Sequence, residues 1–260
     1  MDSVGVIPAR YGSTRFPGKP LVKIAGKPLI THVIDGARKA KSLREILVAT
    51  DDERIAKVAT EAGARVVMTH PELPSGTDRV WAAVEASGLT GVDVVVNIQG
   101  DEPLIEAAPL DALVAAFSKH ADIQMATLGR DIDVSSKEGL EALNSLTTAK
   151  IVLGRDDRAL YFSRLPIPFS RGVALGTQAA NAPGRAVLKH VGIYAFRPAF
   201  LKQFCGTPPC ELELLEGLEQ LRALYLGAKI HVVRTGHESW GVDTPQDVEK
   251  IEKMLASRAR

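Results

Sequence analysis

Cysteine is nearly absent from this chain: two residues in 260, Cys205 and Cys210. Two are too few for a disulfide framework, and neither has companions at metal-ligand spacing, so both read as reduced bystanders. Long apolar runs are missing as well; none approaches the roughly 20 residues that a membrane-spanning helix needs. Met1-Asp2-Ser3 leads directly into an apolar stretch, without a charged-then-apolar signal pattern. The expectation is a cytoplasmic protein with no membrane partner. An excess of one charge is missing too: 32 Lys and Arg face 31 Asp and Glu, a net charge of +1. No global field therefore selects nucleic acid or an anionic surface. No internal repeat and no Pro/Ser-rich linker interrupts the chain, and its length suffices for a real core, so residues 1–260 read as one domain.

One local absence says more. No Asp or Glu occurs between Asp2 and Asp35, while Arg10, Arg15 and Lys19 fall inside that stretch. Val4 to Ile7 is a short apolar strand, and it breaks into a loop holding Gly12, Pro17, Gly18 and Pro20. A strand feeding a glycine-containing cationic loop offers what a phosphate site needs: close backbone approach, free N–H donors and positive charge. The alternative, a solvated basic loop, accounts less well for so much Gly, Pro and single-sign charge together. The loop is not a Walker A motif. Five residues rather than four separate Gly12 from Gly18, and Pro20 stands where a magnesium-binding hydroxyl would be. No Gly-x-Gly-x-x-Gly follows the strand either, so the dinucleotide fingerprint is excluded.

Strand and helix signals then alternate. Glu45 to Thr50, Arg65 to Thr69 and Val92 to Ile98 read as strands. Helices are expected from Pro28 to about Ala40, over Arg54–Ala62, Asp78–Ser87 and Pro109–Lys119. This alternation predicts an α/β fold whose central sheet is mostly parallel and flanked by helices. In such sheets ligands bind beyond the carboxyl ends of the strands, which directs attention to Arg10–Lys19, Asp51-Asp52, Ser75–Arg79 and Gln99–Glu102. The second half is less regular. A smaller mixed-strand region is expected over about 149–233, with a loop at 172–184, one helix over Glu211–Leu226 and a closing helix capped by Thr244.

Several residues could carry chemistry. Asp101, in Gln99-Gly100-Asp101-Glu102-Pro103, follows the most apolar strand; a magnesium ligand and a turn cap are even alternatives there. Asp243 precedes the closing helix and could be the second carboxylate of one metal site. Ser75-Gly76-Thr77-Asp78-Arg79 reads first as a capped helix start, with Ser75 or Thr77 as cap. Arg164, His190 and Tyr194 could face an acidic sugar, or be a surface ion pair and partly buried strand residues. Glu213 and Glu216, one turn apart, read first as the solvated face of a Leu-rich helix.

Taken together, Pro8 to Leu21, Ala49-Thr50-Asp51, Ser75 to Arg79, Asn97 to Pro103, Tyr161 to Arg164, Lys189 to Tyr194, Leu218 to Arg222 and Gly241 to Pro245 resemble the 3-deoxy-manno-octulosonate (Kdo) cytidylyltransferase, or CMP-Kdo synthetase, family. The resemblance implies a sheet of the nucleotide-diphospho-sugar transferase type and a homodimer, with 149–233 as its sugar-binding and dimerisation region. It implies a reaction of CTP with Kdo to CMP-Kdo and pyrophosphate, for lipopolysaccharide biosynthesis, with Mg²⁺ as cofactor. By that likeness Pro8, Ala9, Arg10, Arg15, Lys19, Ser75, Gly76 and Arg79 bind CTP, and Asp101 and Asp243 bind the metal. Gln99, Arg164, His190, Tyr194, Glu213 and Glu216 face the sugar. Arg10, Lys19, Asp101 and Asp243 are the implied catalytic set. Ser145-Leu146-Thr147-Thr148 departs from the Asn-Pro-Asn-like run that members carry. An 8-amino analogue of Kdo or an N-acylneuraminate is therefore kept as an alternative substrate. A non-catalytic nucleotide-binding protein is kept as an alternative of another class.

Overall fold

A computed structural model describes residues 1–12, 16–169, 171 and 187–258. Arg15 and the expected loop at 172–184 lie outside the described residues. In chain order the elements are β1 (Ser3–Ala9), the short β2 (Lys23–Ile24) and β3 (Lys27–Pro28), α1 (Leu29–Ala37), β4 (Glu45–Thr50), α2 (Glu53–Glu61), β5 (Arg65–Met68), α3 (Gly76–Ala86), β6 (Val94–Asn97), α4 (Ala107–Lys119), β7 (Met125–Asp131), α5 (Lys137–Asn144), β8 (Lys150–Leu153), β9 (Ala159–Ser163), β10 (Val187–Phe196), α6 (Pro198–Cys205), α7 (Glu211–Glu216), α8 (Gln220–Tyr225), β11 (Ile230–Arg234) and α9 (Pro245–Arg258). The chain divides into two compact units, Met1–Val114 with Ser239–Arg260, and Ala115–Glu238.

The first unit carries a wholly parallel sheet. β1 lies between β6 and β4, and β5 pairs with the outer side of β4. Its central strands are apolar because both faces are covered: Val4, Val6, Leu47, Val48, Val94, Val95 and Val96 are inaccessible to solvent. Each strand hands over to a helix through a loop at the same carboxyl edge. Asp52 caps α2 by accepting from the backbone N–H of Arg54 and Ile55, and Ser75 caps α3 by accepting from Asp78 N–H. Of the two cap candidates for α3, Ser75 is the one used. α9 begins at Pro245, and the Asp247 carboxylate accepts from Thr244 N–H at 2.8 Å, the return half of a capping box.

The second unit is mixed, as expected. β7 pairs in parallel with β11 on one side and antiparallel with β10 on the other; β10 then pairs with β8, and β8 with β9, both antiparallel. A chain of rings from Tyr194 through Phe196 and Phe204 to Phe200 forms its core, with successive centroids 6.0–6.3 Å apart. Two short helices, α5 and α6, were not anticipated; each begins after a Ser136 cap or at a Pro198.

The expected helix over Glu211–Leu226 is two helices. Gly217 adopts a left-handed conformation (φ 61°) that ends α7 and lets the chain re-enter as α8. The turn also inverts the expected polarity of α7. Glu213 is buried, whereas Leu212, Leu214 and Leu215 are 42, 70 and 75% exposed. Periodicity alone assigned the leucines inward; the break at Gly217 rotates α7 independently of α8, whose Leu221 is fully buried.

Candidate active site

The first unit holds a cavity of about 250 Å³ at the carboxyl edge of its sheet, lined by Pro8, Ala9 and Arg10 after β1, Lys19 and Pro20, Leu73, Ser75, Gly76 and Arg79 around the start of α3, Gln99, Gly100 and Asp101 after β6, and Asp243. Every CTP-binding residue singled out in the sequence is among these except Arg15. Pro20, Leu73 and Gly100 line it without having been named as ligand-binding. Pro20 and Gly100 lie within recognised stretches, but Leu73, between two prolines, carries no signal of its own.

Lys19 is aimed by backbone geometry. Gly18 adopts φ 73°, its N–H donates to Tyr11 C=O at 2.9 Å, and its Cα packs on the Tyr11 ring so closely that an added Cβ would sit 3.1 Å from the ring. Only glycine fits both conditions. On the ring's other contact, the Arg54 guanidinium stacks 3.5 Å from its centroid and forks onto Asp52 at 3.0 and 2.7 Å. Lys19 then opens a short 3-10 turn that ends at Leu21.

From that turn the Lys19 ammonium reaches Asp101 Oδ2 at 2.7 Å and Asp243 Oδ1 at 3.3 Å. Two carboxylates 142 positions apart in sequence thus meet on one cation. Their backbones are tied as well: Val242 N–H donates to Asp101 C=O at 2.9 Å, and Asp243 N–H to Asp247 Oδ2 at 3.1 Å. Gly100 is needed beside them, because a Cβ there would lie 2.6 Å from Pro8 C=O. Lys19 is mostly covered while Asp101 and Asp243 are a third to nearly half exposed, so an entering anion or cation meets charged oxygens and an ammonium together. The ammonium keeps two like charges close without net repulsion. Hard carboxylate oxygens converging on a single positive charge fit a divalent cation such as magnesium, which takes its other ligands from phosphate oxygens and water. Among the described residues no group of three or more His, Cys, Asp or Glu surrounds a common point, so such an ion would depend on substrate for part of its shell.

Arg79 behaves differently from Arg10. Arg10 is exposed at the cavity mouth, whereas Arg79 is buried and committed to Thr69 Oγ1 (2.6 Å), Asp51 Oδ2 (3.1 Å) and Pro71 C=O (3.5 Å). Its charge is neutralised by Asp51, and its mechanical effect is to brace the wall that Ser75 and Gly76 present. Ser75 serves both readings of the sequence, as helix cap and as cavity lining.

Gln99 stands in this cavity; the other residues expected to face a sugar belong to the second unit, where they form connected networks. Glu216 accepts from Ser163 Oγ (2.7 Å) and Arg164 N–H (2.8 Å), and the Arg164 Nε donates to Glu216 C=O at 2.7 Å. His190 and Tyr194, on β10, are joined by a residue from α8: Gln220 Oε1 accepts from the Tyr194 hydroxyl at 3.1 Å, and its Nε2 lies 3.5 Å from His190 Nδ1. His190 Nε2 lies 3.0 Å from Thr127 Oγ1, whose own proton goes to Ile193 C=O at 2.9 Å. The chain is self-consistent only with a neutral imidazole protonated at Nε2. Burial pushes the His190 pKa down to about 3 and the Tyr194 hydroxyl well up, so both are neutral hydrogen-bonding groups near neutral pH. Glu213 forms a bidentate pair with Arg222 (2.8 and 2.6 Å), and that guanidinium also lies 4.3 Å from the Phe204 ring. Gln220 and Thr127 carried no individual signal, because neither is titratable and only the fold brings them to His190.

Comparison with known proteins places these features in a family. The model of the cytidylyltransferase family matches residues 4–230. A protein of Bdellovibrio bacteriovorus named 3-deoxy-manno-octulosonate cytidylyltransferase is 51% identical over 99% of each chain. A Shewanella oneidensis protein named 8-amino-3,8-dideoxy-manno-octulosonate cytidylyltransferase is 46% identical over 98% of this chain and 99% of its own. A solved structure of CMP:2-keto-3-deoxy-manno-octonic acid synthetase complexed with CTP superposes with a TM-score of 0.87 at 37% identity, covering 99% of this chain and 100% of that one.

Proposed function

The chain belongs to the cytidylyltransferase family, and we propose that it is the enzyme joining CTP to 3-deoxy-manno-octulosonate, giving CMP-Kdo and pyrophosphate. The observation that carries this reading is the meeting of Lys19, Asp101 and Asp243 in one cleft at the sheet's carboxyl edge. The likeness to a CTP-bound synthetase over the whole chain supports it.

The reaction is an in-line displacement. The anomeric 2-hydroxyl of the sugar attacks the α-phosphorus, the bond from that phosphorus to the oxygen bridging it to the β-phosphate breaks, its electron pair leaves with pyrophosphate, and the hydroxyl proton passes to solvent water. Little covalent work falls to the protein; its task is positioning and charge neutralisation. Arg10 and Lys19 neutralise the triphosphate and the departing pyrophosphate. Pro8, Ala9, Ser75 and Gly76 shape the wall against which the nucleoside lies, and Arg79 keeps that wall in place through Asp51 and Thr69. Asp101 and Asp243 would hold a magnesium ion, and Lys19, which now bonds both carboxylates, would be available to the phosphates. Magnesium bound there supplies charge neutralisation at the phosphates and acidifies the attacking hydroxyl. In the second unit, Arg164 and the neutral His190–Gln220–Tyr194 chain are the groups suited to orient an acidic sugar, and in the first unit Gln99 lines the cleft.

The finer features follow as part of the same proposal. The enzyme acts in the cytoplasm, where CTP is made, and feeds lipopolysaccharide synthesis; among the described residues no helix is long and apolar enough to cross a membrane. It acts as a homodimer, which the solvent-facing Leu160, Leu165, Leu212, Leu214, Leu215 and Tyr225 of the second unit support.

One second reading has a specific observation behind it. A relative named for the 8-amino analogue is 46% identical, as is one named for Kdo, and Ser145–Thr148 departs from the expected run. A panel of Kdo, 8-amino-Kdo and N-acetylneuraminate, each with CTP and magnesium, tests the choice by pyrophosphate release. Preferred turnover of Kdo is expected. Turnover of another sugar alone would replace the substrate, and no release with any sugar would favour a nucleotide-binding protein without catalysis.

A further inference from the structure

Lys150 is fully buried, yet among the described residues its ammonium bonds carbonyls and no carboxylate. Its three protons go to three backbone carbonyls: Ser145 at 2.8 Å, Thr148 at 2.6 Å, and Arg164. The Arg164 guanidinium takes the two carbonyls between the first pair, Leu146 and Thr147, each at 3.4 Å, and crosses to Gly217 C=O at 3.2 Å and Glu216 C=O. All four consecutive carbonyls of Ser145–Thr148 therefore point at two cations. This is the segment whose sequence departs from its family's pattern; its Ser145 and Thr147 hydroxyls bond each other at 2.9 Å, while its main-chain oxygens are held by the two cations.

We propose that Lys150 is a positioning residue for the sugar half of the reaction. Together with Arg164 it fixes the Ser145–Thr148 turn against the end of α7, and so sets the place and charge of the Arg164–Glu216 pair that receives an anionic sugar. This rests on the reading of the chain as a sugar-acid cytidylyltransferase.

Two arguments lead there. The first is connectivity. Lys150 lies on β8, in register with Ser163 on β9 and Lys189 on β10, and His190 N–H donates to Ala149 C=O beside it. Its ammonium is thus bonded to the carbonyl of Arg164, and its strand is paired directly with the one that carries His190. Lys150 therefore bears on Arg164 through its ammonium and on β10 through its backbone. The second is charge. Burying a cation without a counter-ion is costly, and here the carbonyl dipoles offset the lost hydration. Lys150 and Arg164 spend their donors on neutral carbonyls, while the nearby Glu216 carboxylate accepts from Ser163 Oγ and the Arg164 backbone N–H. Burial lowers the Lys150 pKa, the direction expected for a cation held without a carboxylate contact. The remaining positive potential suits a sugar bearing a carboxylate and is of no use to a neutral sugar.

The test compares wild type, Lys150→Met and Lys150→Arg, with KM for CTP and for Kdo measured separately by pyrophosphate release and the melting temperature measured alongside. Lys150→Met should raise the KM for Kdo tenfold or more while the KM for CTP stays within twofold. Lys150→Arg keeps the charge but cannot aim three donors at three carbonyls, and should raise the KM for Kdo several-fold with the same selectivity. If Lys150→Met does not fold, Lys150→Arg decides alone. A lowered melting temperature with both KM values unchanged would make Lys150 merely structural and overturn the proposal. Equal changes in both KM values would overturn it too. No turnover of a sugar acid by wild type would instead overturn the functional reading on which it rests.

Discussion

The cleft of the first unit and the polar end of the second use charge in opposite ways. In the cleft, Arg10 is exposed, and the partly exposed Asp101 and Asp243 are joined only through the Lys19 ammonium, at 2.7 and 3.3 Å. In the second unit, Lys150, Arg164, Glu213, Arg222 and His190 are occupied by internal bonds, several of them to backbone carbonyls. The first arrangement is ready to exchange partners when a charged ligand enters. The second is set in advance and gives shape. Transfer of a nucleotide needs both: mobile charge where bonds to phosphorus change, and fixed dipoles where a sugar must be told from its relatives.

Substitutions can break this contrast. The largest effect is expected in the cleft: Asp101→Ala should cut kcat/KM on the order of 10³-fold while leaving the melting temperature nearly unchanged. Near-normal turnover would remove Asp101 from the reacting centre. Glu213→Ala should do the reverse, because it strands the buried Arg222; unfolding by denaturant should report a loss of about 3–5 kcal/mol. An unchanged midpoint would mean that the pair is not the brace described here. Lys19→Ala should cost about 2–4 kcal/mol of transition-state stabilisation, seen in kcat/KM and not in the melting curve. A loss confined to discrimination between nucleobases would put Lys19 elsewhere.

Acid should separate the units by another route. The folded-state pKa of His190, about 3, lies below the ordinary histidine value of 6.5, so the unfolded chain takes up the proton first. Its contribution to stability is present above about pH 6.5 and is lost as pH falls toward 3. Replacing His190 with Gln should flatten the dependence of the melting temperature on pH across that window; an unchanged slope would show that other groups set it. The smallest effect is Ser75→Ala, a lost helix cap worth about 1 kcal/mol, with a modest rise in the KM for CTP because Ser75 also lines the cleft.

The same contrast governs what could be read from sequence. The parallel sheet, the carboxyl-edge loops and most of the nucleotide cleft were legible, because short apolar strands, a glycine at each tight approach and single-sign charge are local signals. That Asp101 and Asp243 meet was only an open possibility from the residues and an implication of the resemblance: 142 positions separate them, and the fold closes the distance. In the second unit the local signal misled. The leucines of Glu211–Leu226 promised one amphipathic helix, yet Gly217 splits it, turns Glu213 inward and leaves Leu214 and Leu215 in solvent. Lys150 and Gln220 carried no individual signal, since the Arg164 carbonyl that Lys150 bonds and the Tyr194 and His190 rings that Gln220 joins come to them only through the fold.

The most direct test of the account is pyrophosphate release by the wild-type protein from CTP and Kdo with magnesium, run beside Asp243→Ala. The account predicts release that requires both substrates and falls by orders of magnitude in the variant. Release that survives loss of Asp243, or none from wild type, would contradict it.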